Sequence, residues 1–223
     1  MNRMTRMFTS LCLAAFALAS IATPGHADMR FGGEVWGAWN SHSMDDWNKL
    51  IDDANSSGGN FDNINSGFSF GVGPTLLVSD KCRFGVHFER LIANKSEDSG
   101  VAVKPAANAI GASFDYLFPS GALEYGLGAA VDMMTLAGKV EQPTAPTEND
   151  VEGSGVGFQV RGTVNYALGA AVHAELGVGY RFADIKVDKI GGIDNDPSVS
   201  GLDTEDYSGV TVRIGLQIHQ PKK

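Results

Sequence analysis

Between Gly155 and Phe182 the chain alternates with a period of two through two strands and one turn. Even positions carry Val156, Phe158, Val160, Val164 and Tyr166. After Ala167-Leu168-Gly169-Ala170 they carry Val172, Ala174, Leu176, Val178, Tyr180 and Phe182. Odd positions carry Gly157, Gln159, Arg161, Thr163 and Asn165, then His173, Glu175, Gly177, Gly179 and Arg181. Alternation of this kind marks strands with one apolar and one polar face. A strand that crosses a bilayer needs about 9–11 tilted residues, apolar toward lipid and polar toward the lumen. The hairpin meets that requirement and sets the expectation of membrane-spanning β-structure for the whole chain.

The N-terminal stretch has a different character. Arg3 and Arg6 precede an apolar run from Met7 to Ile21, and Pro24-Gly25-His26-Ala27 puts small residues at −3 and −1 of a cut after Ala27. This is the pattern of a secretory signal peptide, residues 1–27, removed from a domain at 28–223. Cys12 belongs to the signal, so Cys82 stands alone in the mature chain and no intrachain disulfide forms. The formal charge of −9 becomes −11 once Arg3 and Arg6 are gone. So acidic a chain is a poor partner for nucleic acid, whose phosphates require Lys and Arg. No later stretch is apolar over the 18 or more residues of a membrane helix. Export without a helical span leaves the periplasm, the medium or an outer-membrane barrel.

Six other stretches join the pattern. Arg30–Asn40, Gly67–Val78, Arg83–Ile92, Asn108–Phe118 and Leu123–Met134 read as strands before the hairpin, and Tyr207–His219 as the last after it. Pro74 in the second suits a bulge, because proline removes a ladder donor. Ser79-Asp80-Lys81 and Pro119-Ser120-Gly121 are tight turns. Longer connections fall at Ser41–Asn65, Asn94–Lys104, Glu141–Glu152 and Asp188–Asp206. In the first, Ser43 is placed to cap a short helix with Asp45 and Asp46 in its first turn. Met44, Trp47, Leu50 and Ile51 form its apolar stripe, and the expectation is a helix resting on the barrel rim. The fold class expected is all-β: an eight-stranded antiparallel up-and-down transmembrane β-barrel with short periplasmic turns and long extracellular loops.

Aromatic residues gather at the strand ends, as bilayer interfaces select. Phe31, Phe84, Tyr116, Phe118, Tyr125 and Tyr166 lie at the turn end, with Trp39, Phe68, Phe158, Tyr180 and Phe182 at the loop end. A soluble lipocalin-like carrier also alternates, so alternation does not say which face is inward. The polar face is crowded with glycine, which is poor in exposed strands and fits a narrow lumen. That face also mixes Glu34, Glu89, Asp115, Glu124, Asp132 and Glu175 with Arg161, Arg181 and Arg213. Buried charge must be paired, so these residues are expected to form a network in the lumen.

Signal peptide, Gly-rich amphipathic strands and alternating turns and loops together resemble the small bacterial outer-membrane β-barrel families, OmpA/OmpX-type and OmpW-like. The resemblance spans Met29–His219 and rests on architecture. It implies a cell outer-membrane protein in contact with membrane lipid, lipopolysaccharide and the barrel-insertion machinery. One departure concerns insertion: those families usually end the last strand on an aromatic residue, and this chain closes Leu216-Gln217-Ile218-His219-Gln220-Pro221-Lys222-Lys223.

Chemistry leaves few marks. His173-Ala174-Glu175 has no serine two residues past the histidine, and Ser41, His42 and Ser43 show no triad framework. Asp194-Asn195-Asp196 resembles the start of a calcium loop, but Val199 stands where the glycine belongs. His87 and His173 read as members of the lumen hydrogen-bonding network. No enzyme activity, cofactor or metal is expected. The leading expectation is a barrel with a structural or surface-interaction role and an unspecified extracellular partner. A narrow channel for very small solutes and a soluble periplasmic carrier are the alternatives.

Overall fold

A computed structural model describes residues 29–141 and 149–221. The expected signal peptide and the segment holding Pro143 and Pro146 lie outside the described residues. Eight long strands dominate: β1 (Met29–Ser41), β2 (Ser66–Val78), β3 (Cys82–Ala93), β4 (Ala106–Ser120), β5 (Leu123–Leu136), β6 (Asn149–Ala167), β7 (Val172–Ile190) and β8 (Gly209–His219). Each is antiparallel to its chain neighbour, and β8 returns to β1 from Gly32↔His219 to Asn40↔Thr211. The ladder therefore closes. From Ser154 on β6, paired residues run through Thr135, Asn108, Arg90, Phe70, Gly37, Ile214 and Leu176 and return to β6 at Val164. A stagger of ten residues over eight strands belongs to strands tilted by roughly 35–45°. Pro74 causes no register shift in β2: it stays paired with Gly33, and the pairing to β3 merely lapses between Val72 and Thr75.

The apolar face points outward. Phe31, Phe68, Leu127, Val156, Leu176 and Ile214 are each at least 58 % exposed, while Glu34, Asp115, Asp132, Glu175 and Arg213 are buried. A soluble carrier would need the reverse, so that alternative fails on the direction of the faces. All the girdle aromatics named above face outward, with Phe84 half-buried.

Toward the loops the pattern inverts. On β7, Ala183, Ile185 and Val187 turn inward and are buried, while Asp184, Lys186 and Asp188 turn outward. The start of the connection expected from Asp188 is still strand, as far as Ile190, for this reason. Its alternation continues with the polarity of the faces exchanged. β6 and β7 thus stand beyond the other strands, with a register shift at Val187/Lys189. Short strands build on them: Gly138–Glu141 pairs with β6, Val101–Lys104 and Ser96–Asp98 extend it, and Thr204–Asp206 pairs with β7. The polar loop expected at Asn94–Lys104 is therefore largely sheet.

Glycine on the inward face makes room for the buried charges. A Cβ on Gly128 would overlap the Asp115 carboxylate, whereas one on the outward Gly162 would meet nothing closer than 3.9 Å. Gly128→Val should therefore abolish the compact, fast-migrating band of unboiled protein on a gel, and Gly162→Val should retain it. Equal behaviour of the two variants would contradict this packing.

Candidate functional site

Two layers fill the barrel. The lower one is ionic. Asp115 on β4 accepts from Arg161 Nε and Nη2 at 3.0 and 2.9 Å and from Arg83 Nε at 3.0 Å. Arg83 also faces Glu175 across the lumen at 3.5 Å. Glu175 pairs in turn with Arg213, which donates to Glu34 at 3.2 Å and lies 4.4 Å from the Trp36 ring centre. Nearer the loops, His87 meets Asp132 at 2.8 Å and Arg181 pairs with Glu89. Nearer the turns, Asn165 joins Glu124 to Gln217. Charge-assisted bonds of this kind are the strong ones, and removing one partner leaves an uncompensated buried ion.

Of the residues expected in the lumen, Glu34, Glu89, Asp115, Arg161, Glu175, Arg181 and Arg213 are buried and ion-paired, Asp132 is buried and hydrogen-bonded to His87, and Glu124 is half-buried beside Asn165. Arg83 was not among them. It is the second residue of β3, just after a turn, where its place on the inward face is the only signal. Asn165 and Gln217 carry the network where charge alone was counted.

The upper layer is apolar and closes the mouth. Helix α1 (Asp45–Ser56) turns Trp47 and Ile51 inward, where they join buried Met44, Ile64, Leu91, Met134, Ile185, Leu202 and Tyr207. The helix plugs the barrel instead of resting on its rim. Ser43 does not cap it: the N-cap is Met44, in the left-handed region at φ 48°, with no side-chain cap bond. Asn48 Nδ2 donates to the Ser43 carbonyl at 3.0 Å. The helix is tied down by Asp46 Oδ2, which accepts the backbone N–H of Asp203 and Thr204, each at 3.0 Å. Asn48 Oδ1 accepts from the Ile64 N–H at 2.7 Å.

Three polar side chains lie within this plug. Tyr207 donates to Glu205 Oε2 at 3.0 Å, with the Trp47 indole facing the same carboxyl short of hydrogen-bond geometry. Burial pushes Glu205 up to about 7, against the opposing pull of those two neighbours. Burial, reinforced by the Arg181 charge, lowers His42 to about 4, and its ring lies edge-on to Tyr207 at 5.2 Å. Ser41 Oγ accepts from the Val210 N–H at 2.7 Å, so Ser41-His42-Ser43 serves the rim of the barrel. Asp196 caps a short turn by accepting from Ser198 N, and Asn195 donates to the carbonyls of Val187 and Leu202. The calcium-like triplet thus holds its own loop together.

This architecture is that of small outer-membrane β-barrels. The chain is similar to Neisserial surface protein A, with 17 % identity over 86 % of this chain and 97 % of that one and a TM-score of 0.51. It is similar to the outer membrane protein OprG from Pseudomonas aeruginosa, with 15 % identity over 88 % and 97 % of the two chains and a TM-score of 0.52. A major outer membrane protein from Thermus thermophilus gives 9 % identity over 85 % and 99 % and a TM-score of 0.53. These likenesses show the fold. No protein-family model matches the chain, and no curated protein matches its sequence.

Removing the acid that two arginines share should be the costliest change in the lumen. Asp115→Ala should lose roughly 3–5 kcal/mol of folding stability, read from urea midpoints in lipid vesicles, and Glu124→Ala distinctly less. The plug gives a second expectation. Glu205 rises from 4.5 to about 7 on burial, so the closed plug holds the extra proton between those values and opening eases as pH rises. His42 falls from 6.5 to about 4, so the open state holds the extra proton and opening becomes harder as pH rises through that window. The two oppose in the wild type. Glu205→Gln should leave only the His42 trend and His42→Gln only the Glu205 trend, measured as hydrogen exchange of α1 amides after correction for intrinsic rates.

Proposed function

We propose that this chain is an integral protein of the cell outer membrane with a structural or surface-interaction role, its plugged, loop-bearing end facing outside. The observation that carries this reading is the exchange of faces along β5, β6 and β7, the strands that reach furthest toward the loops. Apolar side chains point out over a central band and point in above it, which suits a wall that leaves lipid and enters water. The lumen beneath is filled by ion pairs and the mouth by a hydrophobic plug, so the outer surface and its loops are what the protein offers to partners. Catalysis has no part in this reading.

A narrow channel for very small solutes is the second reading, favoured by the charge that lines the lumen. Eight strands enclose a space that side chains alone can fill, and here they do so in two layers. Planar-bilayer recordings of the wild-type protein should give no discrete conductance, and a reproducible unitary step would favour the channel. Orientation is tested on intact cells. With Cys82→Ser as background, a cysteine introduced by Ser56→Cys at the exposed C-terminal end of α1 should react with a membrane-impermeant maleimide, and protection of that site until lysis would overturn the orientation.

A further inference from the structure

On β3 the outward residues are Phe84, Val86, Phe88, Arg90 and Ile92, so a guanidinium stands in the middle of an apolar row. Its height follows from the register: Ile92, one outward position above, pairs with the girdle residue Phe68, and Arg90 itself pairs with Phe70 and Asn108. Arg90 therefore lies at the outer-leaflet interface and not in the loops. On β5, β6 and β7 the outward face turns polar above this height, at Thr135, Ser154 and Asp184, whereas on β3 it turns apolar again.

Arg90 Nη1 donates to Asn108 Oδ1 at 2.9 Å. That bond fixes the amide with its NH2 turned away from Arg90, and the guanidinium keeps further N–H groups of its own. Among the described residues, no carboxylate forms an ion pair with Arg90, although every arginine of the lumen has one. The outcome is a pair of side chains that presents donors alone, framed by exposed Phe68, Phe70, Phe88 and Ile110. An unpaired cation on a lipid-facing wall is unfavourable unless it reaches the interface or meets an anion there.

From this arrangement we infer that Arg90 and Asn108 bind a phosphate of the phosphorylated glycolipid of the outer leaflet, with its acyl chains lying on the surrounding apolar residues. The planar fork of arginine suits two oxygens of one phosphate, and the asparagine amide supplies a third donor. Acyl chains and phosphate are both accommodated only by a lipid, which sets this occupant apart from free phosphate. The inference rests on the outer-membrane reading given above.

Native mass spectrometry of the full chain in mild detergent tests it, with bisphosphorylated lipid A, the same lipid dephosphorylated, phosphatidylglycerol and inorganic phosphate as probes. Bisphosphorylated lipid A should give a one-to-one adduct that neither dephosphorylated lipid A nor phosphatidylglycerol matches, and inorganic phosphate should not displace it. Arg90→Gln should weaken that adduct by about tenfold or more, and Asn108→Ala less. Undiminished lipid A binding by Arg90→Gln, equal retention of phosphatidylglycerol, or displacement by inorganic phosphate would each overturn the assignment. Both variants should keep the wild-type heat-shifted gel band and outer-membrane fractionation. A wild-type protein that lacked these would defeat the membrane reading itself, a result separate from loss of lipid in the variants alone.

Discussion

Closure of the backbone ladder between β8 and β1 governs the rest of the molecule. Inside a hydrocarbon layer each unsatisfied N–H or C=O costs several kcal/mol, so a sheet that enters it has to leave no edge. Eight strands with a ten-residue stagger achieve this, and the consequence is a lumen that the chain must fill with its own side chains. Glycine on the inward face and long charged side chains opposite are two halves of one packing solution. Gly111 leaves room for Asp132 and Gly128 for Asp115, so that the acids fold down beside their cationic partners.

The polar layer and the apolar layer above it are consequences of what surrounds the wall. Where lipid lies outside, apolar side chains face outward, and polar and charged residues are left to occupy the inside. Where water lies outside, β5, β6 and β7 reverse their faces and a hydrophobic core forms within, as in a soluble protein. Met134 and Asp132, one inward position apart on β5, mark the boundary: the first is packed in the plug and the second hydrogen-bonded to His87. Helix α1 completes the upper core because the barrel cannot supply an apolar lid from its strands alone.

The spanning part of the fold was legible in the sequence because lipid imposes a strict period of two on every strand. The direction of the faces was legible from glycine and charge on the same positions. The extramembrane part was hidden by the reversal: Asp184, Lys186 and Asp188 look like a charged loop until Ala183, Ile185 and Val187 are seen to face a core. In the lumen, acids and bases on the polar face of each strand stand out, whereas Arg83, Asn165 and Gln217 give weaker signals from beside a turn or through neutral amides. Arg90 gives no signal in the sequence, because a single charge on an apolar face has meaning only once its height in the wall and its tie to Asn108 are known.

The direction of the faces is the claim on which all else stands, and one experiment addresses it. In a Cys82→Ser background, single spin labels at positions 158 to 160 and 163 to 164 on β6 report relaxation by oxygen, which partitions into lipid, and by a water-soluble nickel chelate. Labels replacing the outward Phe158, Val160 and Val164 should be relaxed strongly by oxygen, and those replacing the inward Gln159 and Thr163 should be shielded from it. Oxygen accessibility at the odd positions with the even ones shielded would place the apolar face inside and contradict the account.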